Sequence, residues 1–169
     1  MPRPLNLPFD PVARATQLWG ERWQAGEAMA AATSVMRVQQ LLIGRFDETL
    51  REHGLTFARY EALVLLTFSR AGRLPLSVIG TRLMVHPTSV TNIVQRLVAA
   101  GLVERMPNPR DGRGTLAAVT EAGRALVEQA TADLVALDFG LAALDGAERH
   151  QLFALLRKVR VAAGDFTPP

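Results

Sequence analysis

Between residues 76 and 100 two short amphipathic runs are separated only by Val85-His86-Pro87. A proline at that point ends the first helix, because the residue before it is pushed out of the α region. It also suits the first turn of the next helix, where its missing N–H costs nothing. The chain must therefore turn a sharp corner between two helices. In the second run, predicted over residues 88–100, Val90, Ile93, Val94 and Leu97 share one face, which must be buried. Thr88, Asn92 and Gln95 fall opposite, with Ser89 and Arg96 on one flank and Thr91 on the other. Gly101 ends this helix. Two strand-like runs follow, at 102–106 and 115–119. The tip between them, Pro107-Asn-Pro-Arg-Asp-Gly-Arg-Gly114, is built of turn residues, so the pair reads as a hairpin with a long loop.

The flanks are helical. Residues 1–11 are proline-rich and read as an extended arm, after which Asp10-Pro11 opens a short helix to about residue 24. Leu18, Trp19 and Trp23 are its candidate apolar contacts. A long helix over about 27–52 follows from Val35, Val38, Leu42 and Phe46, and Gly54 stops it. Thr56 is the expected cap of the next helix, to about residue 69. Arg59 stands at its N3 position, where a capping box would carry Glu. Residues 70–73 read as a loop. Thr120 starts a helix predicted to run to residue 144. On it Val127, Ala130, Leu134, Leu137, Leu141 and Leu144 alternate three- and four-residue spacings as a heptad seam. Asp145 caps a last helix to about 163, bearing Leu152, Phe153, Leu155, Leu156 and Val159. The seam and this helix carry more apolar surface than one small domain hides, which predicts pairing with a second copy. Packing within one protomer is the alternative.

Charge is uneven along the 169 residues. The net charge is +3, and the cations are eighteen arginines and one lysine, Lys158. Residues 1–69 are neutral and residues 115–169 are acidic. Residues 70–114 hold seven arginines against Glu104 and Asp111. Such a block is the footprint of a polyanion binder, or else of a solvated surface that simply uses arginine. No acidic residue occurs from Leu74 to Val103. Ordinary surface helices carry Glu and Lys, and helix 88–100 carries neither. It offers Asn, Gln, Arg, Ser and Thr instead, the side chains that bond base edges and phosphates in a major groove. Arg110 and Arg113 on the hairpin tip could reach a narrow minor groove.

Several function classes fall away. Without cysteine there is no disulfide, thiolate metal site or thiol switch. His53, His86 and His150 are isolated, and no metal-ligand spacing, nucleophile elbow or phosphate-binding glycine loop is present. No catalytic residue, metal or cofactor is expected. The apolar runs are too short to span a bilayer and the N-terminus lacks a signal-type apolar stretch, so a soluble cytoplasmic protein is expected.

Residues 85–105, from Val85-His-Pro-Thr-Ser-Val-Thr-Asn-Ile to Leu102-Val-Glu-Arg105, resemble the MarR family of winged-helix transcription regulators. Asn108-Pro-Arg-Asp-Gly-Arg113, Val119-Thr120 and Glu121-Ala-Gly-Arg124 are similar to that family's wing and the helix after it. The likeness covers about residues 27–163. It implies a mostly α fold with a small β-hairpin wing: a winged helix-turn-helix at about 55–120, with terminal dimerisation helices at about 27–53 and 121–163. Residues 1–26 would be an added arm and helix, and 164–169 a tail. It further implies a homodimer on pseudo-palindromic double-stranded DNA, probing the major groove with helix 88–100 and the minor groove with wing 107–114. The DNA-binding set is then Thr81, Arg82, His86, Thr88, Ser89, Thr91, Asn92, Gln95, Arg96, Arg110 and Arg113. His86 departs from the serine-type cap frequent at its position. A repressor released by a small aromatic or anionic effector is the family's usual mode. Trp19, Trp23 and Glu61 are the candidate effector contacts by likeness to a urate-responsive subset, although Ile93 stands where that subset has an arginine. A protein-interaction module built on the same lobe is the rival reading.

Overall fold

The computed structural model describes residues 5–109 and 114–167. Helix α1 (Pro11–Gly20) begins as expected, with Asp10 Oδ1 accepting the Val12 and Ala13 N–H groups at 2.8 and 3.3 Å. It ends short of the predicted residue 24. A turn through Ala25, at φ +60°, leads into α2 (Gly26–Arg51). Helix α3 (Phe57–Phe68) departs from expectation at its first turn. Thr56 holds the cap position, yet its hydroxyl takes no first-turn N–H. Asp47 of α2 accepts the Phe57 N–H at 2.7 Å, and Thr56 Oγ1 accepts Arg59 Nε at 3.2 Å. A carboxylate from another helix thus satisfies one of the free N–H groups of the first turn, while the Thr56 hydroxyl serves Arg59.

Residues 73–75, the end of the expected loop and the stretch before the helix expected from Leu76, form strand β1 (Arg73–Pro75). Helices α4 (Leu76–Leu83) and α5 (Pro87–Ala99) then turn the corner, and β2 (Val103–Pro107) and β3 (Thr115–Val119) form the hairpin. All pairing is antiparallel in the order β1-β3-β2, with Arg73 opposite Ala118 and Arg105 opposite Ala117. A three-residue strand ending in proline has no readable alternation. Only its partner across the sheet reveals it.

Helix α6 (Glu121–Ala136) is eight residues shorter than predicted. Asp138, Phe139 and Gly140 all have positive φ, at +49°, +48° and +75°, and form a short 3₁₀ turn. Helix α7 (Gly146–Ala162) follows from a capping box between Asp145 and Glu148. Arg149 fixes this joint, reaching both carboxylate oxygens of Asp138 at 3.2 and 3.0 Å and the Leu141 carbonyl at 3.2 Å.

The core gathers Leu50, Leu63, Leu66, Ile79, Val90, Val94, Leu97 and Leu134, all fully buried. This corrects the heptad seam. Val127, Ala130 and Leu134 are buried inside the protomer, on the helix that packs against α2 and α3, and Leu137, Leu141 and Leu144 lie beyond the break. Uncovered apolar side chains sit elsewhere. Val35, Met36, Val38 and Leu41 line the middle of α2, where Met36 is 65% exposed. Phe153, Leu155 and Val159 line α7, which has no buried residue and no substantial packing on any other described element.

Candidate nucleic-acid interface

The corner between α4 and α5 sets the site. Met84 adopts the left-handed conformation at φ +55°, and the Val85 N–H closes on the Gly80 carbonyl at 3.0 Å. A Cβ on Gly80 would lie 3.1 Å from Val90 Cγ2, so the glycine lets α4 settle closely on α5. Pro87 occupies the first turn as expected, and His86 caps it, its Nδ1 accepting the Thr88 N–H at 3.3 Å. That bond needs a lone pair on Nδ1, so only the imidazole with Nδ1 unprotonated can cap.

With Val90, Val94 and Leu97 buried and Ile93 half-buried, the opposite face of α5 is presented to solvent. Thr88, Ser89, Thr91, Asn92, Gln95 and Arg96 are all exposed, and so are Thr81 and Arg82 on α4 and His86 at the corner. These nine predicted residues share one surface. Their hydroxyls are not equivalent. Thr81 Oγ1 donates to the Ser77 carbonyl at 3.1 Å and Thr91 Oγ1 to the Pro87 carbonyl at 3.2 Å, so each has spent its one proton. Among the described residues no carboxylate pairs with Arg82 or Arg96. Arg105 of β2 reaches the Thr91 carbonyl at 3.4 Å and leans the sheet on α5.

The base of the hairpin is pinned at both ends. Asn108 N–H donates to the Gly114 carbonyl at 3.0 Å. Thr120 Oγ1 donates to the Gly101 carbonyl at 2.9 Å and accepts the Gly123 N–H at 3.0 Å, so one hydroxyl joins the end of α5 to the start of α6. Arg110 and Arg113 lie outside the described residues.

The candidate effector residues do not converge. Trp19 and Trp23 pack on each other at 4.9 Å between ring centroids, and Trp19 Nε1 donates to the Gln24 carbonyl at 2.9 Å. Glu61 is on α3. Among the described residues no hydrogen bond or ring contact joins it to either tryptophan. Partial burial holds its carboxyl above the usual carboxylate range. Among the described residues no cluster of His, Asp and Glu could hold a metal ion, and no helix is long and apolar enough to cross a membrane.

The same architecture recurs in solved proteins. A crystal structure of a MarR family transcriptional regulator from Streptomyces coelicolor is 61% identical and superposes with a TM-score of 0.78, covering 84% of this chain and 99% of that one. The chain belongs to the MarR family. The sequence model of the MarR family matches residues 53–114, from the end of α2 to the hairpin tip. Mutant MarR from Escherichia coli complexed with operator DNA is 29% identical with a TM-score of 0.70, covering 79% of this chain and 95% of that one. An uncharacterized HTH-type transcriptional regulator of Mycobacterium bovis is 36% identical over 66 residues, which are 39% of this chain and 46% of the relative. This MarR family chain therefore matches just under half the length of that relative. Sequence reasoning missed one cation on the family's winged lobe. Arg59 of α3 lines a depression of about 390 Å³ together with Thr56, Asn92, Ile93 and Arg96. The unexpected arginine at N3 was its signal.

Proposed function

We propose that this MarR family protein is a homodimeric, sequence-specific DNA-binding regulator. It reads a pseudo-palindromic operator with α5 in the major groove and the wing in the minor groove. The carrying observation is the face of α5: six exposed donors and acceptors, no carboxylate, and among them an Arg96 that no carboxylate pairs with among the described residues. A duplex offers such a face both base edges and phosphates. The complex of the Escherichia coli relative with operator DNA supports the reading. The second copy is called for by α7 and the middle of α2, whose apolar side chains stay largely exposed among the described residues of one protomer. Regulation is proposed as repression relieved by a small aromatic or anionic ligand, to which the partly exposed Trp19 and Trp23 offer aromatic surface.

Selection of bound sequences from a random duplex library tests this. The expected result is an inverted repeat whose half-site centres lie roughly 10 bp apart, the spacing of successive major grooves on one side of the duplex. Enrichment of no sequence, or of an unrepeated one, would contradict the symmetric reading.

A further inference from the structure

Arg59 is the residue that the interface described above does not use. It sits in the first turn of α3, a turn with no acidic residue, where its Nε donates to Thr56 Oγ1 at 3.2 Å. That bond fixes the plane of the guanidinium and leaves its two terminal nitrogens unengaged among the described residues. Arg59 lines the same depression as Asn92 and Arg96, and Ile93 forms its apolar wall. On the other side Asp47 lines the adjoining depression with Arg51 and Arg59. Its Oδ1 is occupied by the Phe57 N–H at 2.7 Å. Two arginines from different helices thus converge on one concave spot without a carboxylate lining it. Like charges gathered this way repel unless an anion joins them.

The geometry points to a backbone phosphate of duplex DNA as that anion, clamped between Arg59 of α3 and Arg96 of α5. The inference rests on the DNA-binding reading, because the depression opens beside Asn92 on the face that α5 would turn to the groove. A phosphodiester suits the site, since a planar guanidinium meets its two free oxygens with parallel N–H bonds. The clamp would set how α5 sits along the groove without reading any base.

The test compares the full-length protein with Arg59→Gln and Arg59→Lys, by anisotropy on the selected duplex and on a scrambled one across a salt series. Arg59→Gln is expected to weaken binding about tenfold on both duplexes alike. It should also lower the slope of log K against log salt by about 2 for a dimer, one phosphate per protomer. Arg59→Lys should restore most of the slope, and inorganic phosphate at millimolar concentration should not compete. An Arg59→Gln protein with the parent's affinity and slope would overturn the clamp while leaving DNA binding intact. So would a loss confined to the selected duplex. An Arg59→Lys protein whose slope falls as far as that of Arg59→Gln would show that charge at this position is not what counts, and would overturn it too. Competition by inorganic phosphate would make the site one for free anions. A parent that binds neither duplex would instead overturn the DNA reading, and the clamp with it.

Discussion

At Gly123 the place of a Cβ is already taken by the Leu102 carbonyl oxygen, with Val119 Cγ2 at 2.9 Å. A backbone atom cannot swing aside, so Gly123→Ala must push α6 off the hairpin base and break the Thr120 cap. The expected cost is about 2–3 kcal/mol, read as a fall in melting temperature of roughly 5–10 °C. Gly80→Ala is the contrast. Its closest neighbour is a valine methyl at 3.1 Å, which can give, and alanine favours a helix. That variant should melt within about 3 °C of the parent. Glu61 adds a pH dependence. Because burial raises its pKa in the folded state, the fold binds its proton more tightly than the unfolded chain does. Stability from this group therefore falls as pH rises through the carboxylate range, and the penalty persists at neutrality. Glu61→Gln should raise the melting temperature at pH 7, by about 2 °C at most given how exposed the side chain is, and make no difference near pH 3.

On α5 the roles separate by chemistry. Asn92 and Gln95 carry amides, the group that suits an adenine edge, and Ser89 keeps a hydroxyl proton of the kind that Thr81 has already given to Ser77. Asn92→Ala or Gln95→Ala should cost about 1–3 kcal/mol on the selected duplex and little on a scrambled one. Ser89→Ala should weaken both duplexes equally, and more than Thr81→Ala does. Titration of the four variants on both duplexes checks the order. A uniform loss for Asn92→Ala and Gln95→Ala would show that they do not read bases. Much of this element was legible beforehand. Apolar spacing located its buried face, and Pro87 and Gly101 bounded it to within a residue. The elements that escaped were decided by partners far along the chain. Strand β1 exists because β3 lies beside it, and the first turn of α3 is capped by Asp47 from another helix. Helix α6 ends at Ala136, and in the turn that follows a Cβ on Gly140 would stand 2.8 Å from Leu42 Cδ2 of α2, a close approach that no local pattern of leucines encodes. The seam was misassigned for the same reason. Leucine at a three–four spacing says that a face is buried, never whether the neighbour belongs to the same molecule.

At the scale of the whole molecule the protomer is unevenly finished. Its winged lobe is closed, while α7 leaves Phe153, Leu155 and Val159 at 59%, 52% and 67% exposure. Charge introduced there should undo the proposed pairing without touching the lobe. Phe153→Glu with Val159→Glu is expected to sediment as a monomer, keep its helical signal from the lobe, and bind the selected duplex at least a hundredfold more weakly, because both half-sites must be engaged together. A dimer that persists in this double variant would place the interface elsewhere. Inserting half a helical turn between half-sites should likewise abolish tight binding by the parent. An unfinished helix of this kind also changes what cellular abundance means for the proposed regulator. If α7 is completed only by a second chain, melting temperature must rise with protein concentration, since association and folding share one equilibrium. Below the dissociation constant of the pair, promoter occupancy would fall with the square of the number of chains. Dilution at cell division would then relieve repression with no ligand present.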